Sequence, residues 1–194
     1  MSAAKDPLRA RLEAEAYRVA RRYGRMVVAA ANRAGVDAEV MFGLLCLESM
    51  GRASWANRVV ERLAVAFSPC LRRLDPSLGL AQIRVSVAAS LLPPQSLRSC
   101  ACALLDEPTG ISMCATILRK YCDMAALATD NQVTRLRVVA SLYQTGLPEV
   151  PASPSTYEQL LWWAWSTKLL SRTVGPTAPS ESGRPAEPRT VVPC

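Results

Sequence analysis

Residues Val40 to Met50 constrain this chain more than any other stretch. Eight of these eleven residues are apolar, Gly43, Glu48 and Ser49 being the exceptions, and at a period of 3.6 they leave no polar face. Such a run predicts a helix buried on all sides, which requires enough further structure to surround it. Glu48 then has to be accounted for. A carboxylate on an otherwise apolar helix must be paired, protonated or employed, because burying an unpaired charge is costly. An ion pair with Arg52, four residues on, or emergence at the surface would satisfy it structurally.

The surroundings read as more helix. From Asp6 to Ala34, Leu8, Leu12, Ala16, Val19, Tyr23, Met26, Val27 and Ala30 recur every three or four residues, as in one long amphipathic helix. Gly35 closes it, and Asp37 can cap the helix that carries Glu48. Asn57 to Phe67 repeats the pattern with Val59, Val60, Leu63, Ala64 and Phe67, and Ser68-Pro69 is expected to stop it. Asp75-Pro76-Ser77-Leu78-Gly79 is turn-rich and puts Leu80 to Arg84 on a loop or short extended segment. A helix from Val85 to Leu92 follows, ended by Pro93-Pro94. Thr109 can cap another, with Ile111, Cys114, Ile117, Leu118 and Tyr121 as its buried stripe. Asn131 to Gln144 forms the next, closed at Gly146, and Ser155 with Glu158 fits a capping box that opens the last. From Ser171 onward there are five prolines and few large apolar residues, the composition of a disordered tail. No repeat and no series of alternating strands is present. The class is all-α, with at most a short β-hairpin or extended loop. The expected organisation is a basic helix, residues 1–35, packed on a domain spanning 36–170, then a tail over 171–194.

Composition narrows the chemistry. With no histidine, Ser-His and Cys-His nucleophile pairs, His-based zinc sites and C2H2 fingers are excluded together, so acid–base work falls to carboxylates, Tyr, Lys or Cys. The seven cysteines contain no C-x-x-C pair and read as buried thiols rather than a disulfide framework, pairing after delivery to an oxidising compartment being the alternative, with one cysteine left over. No metal and no cofactor is expected. Residues 1–35 hold eight Lys/Arg against three Asp/Glu, a net of +5 out of +7 for the chain. That face suits an anionic partner such as nucleic acid, acidic lipid or acidic cell-wall polymer, or is a solvated helix surface. Met1 to Gly24 contains nine charged residues and no apolar core segment, so no secretory signal is expected and synthesis is cytoplasmic. No run reaches about 18 apolar residues, and no membrane span is expected.

Three segments, in order, resemble the lysozyme-like lytic transglycosylases that cleave bacterial peptidoglycan. Ala34-Gly35-Val36-Asp37-Ala38-Glu39-Val40 leading into Leu47-Glu48-Ser49 is similar to the family's helix ending in its catalytic Glu-Ser pair. Ser77-Leu78-Gly79-Leu80-Ala81-Gln82-Ile83 resembles its Gly-Leu-Met-Gln-Ile loop, with Ala81 in place of Met. Val139-Ala140-Ser141-Leu142-Tyr143-Gln144-Thr145-Gly146 resembles its Ala-x-x-x-Tyr-Asn-x-Gly motif, with Gln144 in place of Asn. The resemblance covers about residues 34 to 170 and implies an α-rich lysozyme-like fold whose extended loop lines a glycan cleft. It implies as partner the peptidoglycan glycan strands, and action in the periplasm or cell wall; with no secretory signal expected, this requires delivery by other means, such as a secretion system or phage apparatus, and no nucleic acid is expected as partner.

Glycosidic cleavage needs an acid for the leaving oxygen and a second group that stabilises the oxocarbenium-like centre or delivers water. Glu48 suits the first role, since an apolar helix would hold its carboxyl protonated near neutral pH. No second carboxylate stands in an obvious place: Glu61 reads as surface on the next helix, and Asp75 precedes Pro76 at a turn. A single acid is what the resemblance implies, the muramoyl 6-hydroxyl replacing water and leaving a 1,6-anhydro end. It also implies that Tyr143 lies beside Glu48, although a core aromatic on its helix is the structural alternative. Ser49 either bonds Glu48 or substrate or caps the helix end. Gly79, Leu80, Gln82, Ile83 and Gln144 complete the implied sugar contacts, Leu80 and Ile83 doubling as candidate core. Trp162, Trp163 and Trp165 cannot all face one cleft, so at least two should pack. The competing readings are a non-catalytic glycan- or partner-binding module on the same fold and a basic helical nucleic-acid-binding protein. Against the latter, the aromatics are not interleaved with the basic residues.

Overall fold

The computed structural model describes residues 6–51, 55–66, 68–91, 96–150 and 152–174. It is all-α, with one two-stranded hairpin among the described residues. Contacts divide the chain into two compact units: the described residues of Met1–Leu47 and Ala115–Cys194, and Glu48–Cys114.

In the first unit, helix α1 (Pro7–Ala34) begins with the Asp6 carboxylate accepting from Leu8 N at 3.0 Å and ends at Gly35 with φ 67°. Its buried stripe is Leu12, Ala16, Val19, Tyr23, Val27, Ala30 and Ala31, one face of a 3.6 period. Helix α2 (Ala38–Gly51) is enclosed as its apolar run requires: Val40 to Leu47 are all buried, and burying side chains such as Phe42 and Leu44 contributes about 1.5–3 kcal/mol each. Asp37 caps α2 through Glu39 N at 2.8 Å, and its other oxygen accepts from Trp165 Nε1 at 3.0 Å, fixing helix α9 (Thr156–Ser166). At Gly43 a Cβ would lie 3.0 Å from Leu161 Cδ1, so the glycine is what lets α9 approach α2. Burial pushes the Cys46 thiol well up from its usual range, Glu15 adding to the effect and Arg18 opposing it.

Helix α8 (Gln132–Thr145) runs from its Asn131 cap to Gly146 at φ 79°. It is tied to α9 by Arg137 Nε donating to Glu158 at 2.7 Å. The Glu158 N–H does bond the Ser155 hydroxyl, but the Glu158 carboxylate turns to Arg137 rather than completing a capping box. The expected tail boundary at Ser171 is corrected: helix α10 (Leu169–Val174) includes Ser171 to Val174, and the rest of that segment lies outside the described residues. The cause is Glu39, only 7% exposed, whose carboxylate accepts from Leu170 N at 2.8 Å and Ser171 N at 3.0 Å. An anion from α2 thus satisfies orphan donors at the start of α10.

In the second unit, α3 (Trp55–Ala66) is followed directly by α4 (Ser68–Leu74). Ser68-Pro69 therefore starts a helix instead of only ending one, since proline is accommodated in a first turn. Strands β1 (Ser77–Leu78) and β2 (Ile83–Arg84) pair antiparallel, with Ser77 opposite Arg84 and Leu78 opposite Ile83. Asp75 leaves the turn to accept from Ser86 N at 2.8 Å, at the start of α5 (Val85–Leu91). Helix α6 (Leu97–Leu105), not anticipated, is capped by Ser96 and buries Cys100, Ala101 and Leu104. It supports α3, α4, α5 and β1. Helix α7 (Glu107–Ala128), of which only residues 107–114 belong to this unit, starts on the carboxylate of Asp106, which accepts from Thr109 N at 3.1 Å, so Asp106 and not Thr109 is the cap.

Cys46 and Cys100 are buried thiols, as the thiol reading expects, Cys102 is an exposed one, and Cys122 is disulfide-bonded, the pairing that the sequence leaves open. No helix among the described residues is long and apolar enough to cross a membrane.

Candidate functional site

Glu48 sits in the last turn of α2, half-buried, where the apolar run ends; Ser49 beside it is 2% exposed. Both residues have interaction partners. The Arg52 considered as an ion-pair partner lies outside the described residues. Three residues after Glu48, Gly51 borders a cavity of about 210 Å³, whose other walls are Val60, Glu61 and Ala64 of α3 and Pro76, Ser77, Leu78 and Gln82 of the hairpin. Gly51 at the end of the Glu48 helix and Gln82 of the Gly79–Ile83 turn therefore belong to one unit and line one cavity, whereas Glu48 itself is not among its walls.

The turn is held from within. Gly79 adopts φ 76°, and a Cβ there would fall 2.0 Å from the Leu104 carbonyl oxygen of α6, so only glycine fits. Gln82, at φ 48°, folds its amide back so that Nε2 donates to Gly79 O at 2.8 Å and to Glu61 Oε1 at 2.9 Å. A carboxylate can only accept, which fixes the end of the amide that faces Glu61. Both Gln82 amide hydrogens are thereby committed, leaving the carbonyl oxygen as an acceptor. Leu80 and Ile83 are 5% and 4% exposed, so their side chains are core and not cleft lining.

Glu61 corrects the sequence reading. It was expected at the surface, yet it is 7% exposed and lines the cavity, while Val59, Val60 and Leu63 are 45%, 62% and 52% exposed. The face of α3 that looked buried is the open one. Glu61 and Val65, one turn apart, point inward, and a carboxylate in the buried stripe is the signal that pattern reading overrode.

Tyr143 and Gln144 lie on α8 in the first unit. Tyr143 is half-buried and meets Tyr121 edge-to-face, ring centroids 6.3 Å apart, and Gln144 is exposed. Two of the three clustered indoles pack, as expected. Trp165 bonds Asp37, Trp163 lies beneath Arg9 at 5.9 Å, and Trp162 is 45% exposed. Among the described residues no three His, Cys, Asp or Glu side chains gather as a metal set. Comparison of the chain with known proteins returns no matching family model, no matching curated protein and no matching solved structure.

Proposed function

We propose that this protein is a lytic transglycosylase that cleaves the β-1,4 bond between N-acetylmuramic acid and N-acetylglucosamine in peptidoglycan. The observation that carries the reading is the cavity lined by both Gly51, which ends the Glu48 helix three residues beyond the acid, and Gln82, two positions in segments of family-like sequence that lie well apart in the chain. Glu48 protonates the glycosidic oxygen, and the resulting carboxylate then takes the proton of the muramoyl 6-hydroxyl as that oxygen closes on C1. The leaving glycan ends in a free hydroxyl, the other in a 1,6-anhydro ring. Gln82 offers its carbonyl to a sugar N–H or O–H, and Tyr143 is assigned its supporting role by resemblance to the family motif.

The buried Glu61 at the cavity favours a second reading, hydrolysis, in which a second carboxylate activates water. Digestion of purified sacculi, followed by mass spectrometry of the muropeptides, separates the two. Anhydro ends are expected; reducing ends point to Glu61 and water, and no product from folded protein refutes both.

A further inference from the structure

The acids of α1 are all committed. Asp6 caps the helix and lies 3.6 Å from Arg9, Glu13 holds Arg172 at 3.5 Å, and Glu15 pairs with Arg18. Arg21 and Arg25, one turn apart and exposed, meet no carboxylate among the described residues. Like charges at that spacing repel and destabilise the helix.

Both arginines, together with Arg22, line a groove of about 660 Å³ between α1 and α10, well within the range of about 300–1,000 Å³ typical of ligand sites. Gly24 is part of its lining: a Cβ there would lie 3.0 Å from Val174 Cγ2, so the glycine permits α10 to come near although glycine disfavours a helix interior. Met26 and Val174 give the groove an apolar part, and Tyr17, 61% exposed, stands at its edge. A carboxylate has two oxygens in one plane and is satisfied by a single guanidinium fork. A phosphate presents oxygens tetrahedrally and carries more charge, so it can receive forks from two arginines at once.

We propose that the α1–α10 groove is a binding site for a phosphate ester, Arg21 and Arg25 taking the phosphate and the apolar wall the carbon chain attached to it. The site belongs to the first unit and is independent of the glycan reading. The test uses the full chain with two probes: glycerol 1-phosphate followed by calorimetry, and phosphatidylglycerol–phosphatidylcholine vesicles followed by co-sedimentation, with pure phosphatidylcholine as blank. The Arg21→Gln/Arg25→Gln double variant is compared with Arg72→Gln/Arg73→Gln, which removes the same charge from exposed positions of α4. Binding in at least one arm is expected, weakened about tenfold or more by the α1 variant, as loss of charge-assisted bonds implies, and little by the α4 variant. Binding of the soluble ester identifies a free ligand; binding to the anionic vesicles alone identifies a lipid headgroup. Equal weakening by both variants, no effect of the α1 variant, or no binding in either arm overturns the site.

Discussion

Glu39 and Glu61 are buried to the same degree, each 7% exposed, yet their surroundings differ in kind. Glu39, in the first unit, takes main-chain N–H donors at the start of α10 and the Ser171 hydroxyl as well. Glu61, in the second, takes the side-chain amide of Gln82 and faces a cavity. Burial by itself therefore does not mark an acid for chemistry. What distinguishes them is what surrounds the carboxylate: a helix end that it completes, or a polar turn beside open space.

The largest effect should come from removing the Glu39 carboxylate. Glu39→Ala strands the buried Leu170 N–H and removes the acceptor of Ser171 at the start of α10, and is expected to cost about 2 kcal/mol of stability, the scale of leaving a buried donor of a charge-assisted bond unpaired. Sacculus turnover per folded molecule should hold. Urea unfolding alongside a turnover assay checks this, and a stable Glu39→Ala protein would remove the contrast with Glu61.

Glu48→Gln should show the reverse. Volume and much of the hydrogen bonding are kept, so stability should stay within about 1 kcal/mol, while turnover should fall at least about a hundredfold, the lower end of general acid–base catalysis. A destabilised but active variant would make Glu48 a structural carboxylate like Glu39.

How much of this contrast was legible in the sequence follows from the range of each interaction. Helices α1, α8 and α9 were readable from their periodicity and α2 from its near-continuous apolar run, and their caps, Asp6, Asp37, Asn131 and Ser155, lie within a few residues. Helix α10 was not, because its cap is Glu39, 131 residues from Leu170 in the chain. Helix α6 hides behind small residues, Ser99 to Ala103, whose apolar signal is weak. At the candidate site the Gly79–Gln82 turn was recognisable from the Pro76 and Gly79 turn signals. The reason Gly79 must be glycine was not, since it lies in the Leu104 carbonyl of another helix. Glu61 was missed because α3 exposes the apolar residues that pattern analysis assigned to its buried face.

The smallest expected effect decides what Glu61 does. In Glu61→Gln the new amide oxygen can still accept from Gln82 Nε2, so the turn keeps its geometry and stability should change by about 1 kcal/mol or less. If Glu61 only holds Gln82 in place, turnover should fall less than about tenfold, well short of the hundredfold or more that a general base supplies, and muropeptides should keep their anhydro ends. Glu61→Ala would then do more harm than Glu61→Gln, because it leaves a Gln82 N–H without its acceptor; the loss should appear mainly in KM. If Glu61 instead activates water, both variants lose the reducing-end product alike, since neither can accept a proton at that position. Kinetics and product masses on the two variants thus establish whether the second buried glutamate supports a binding turn, as Glu39 supports a helix end, or takes part in the reaction itself.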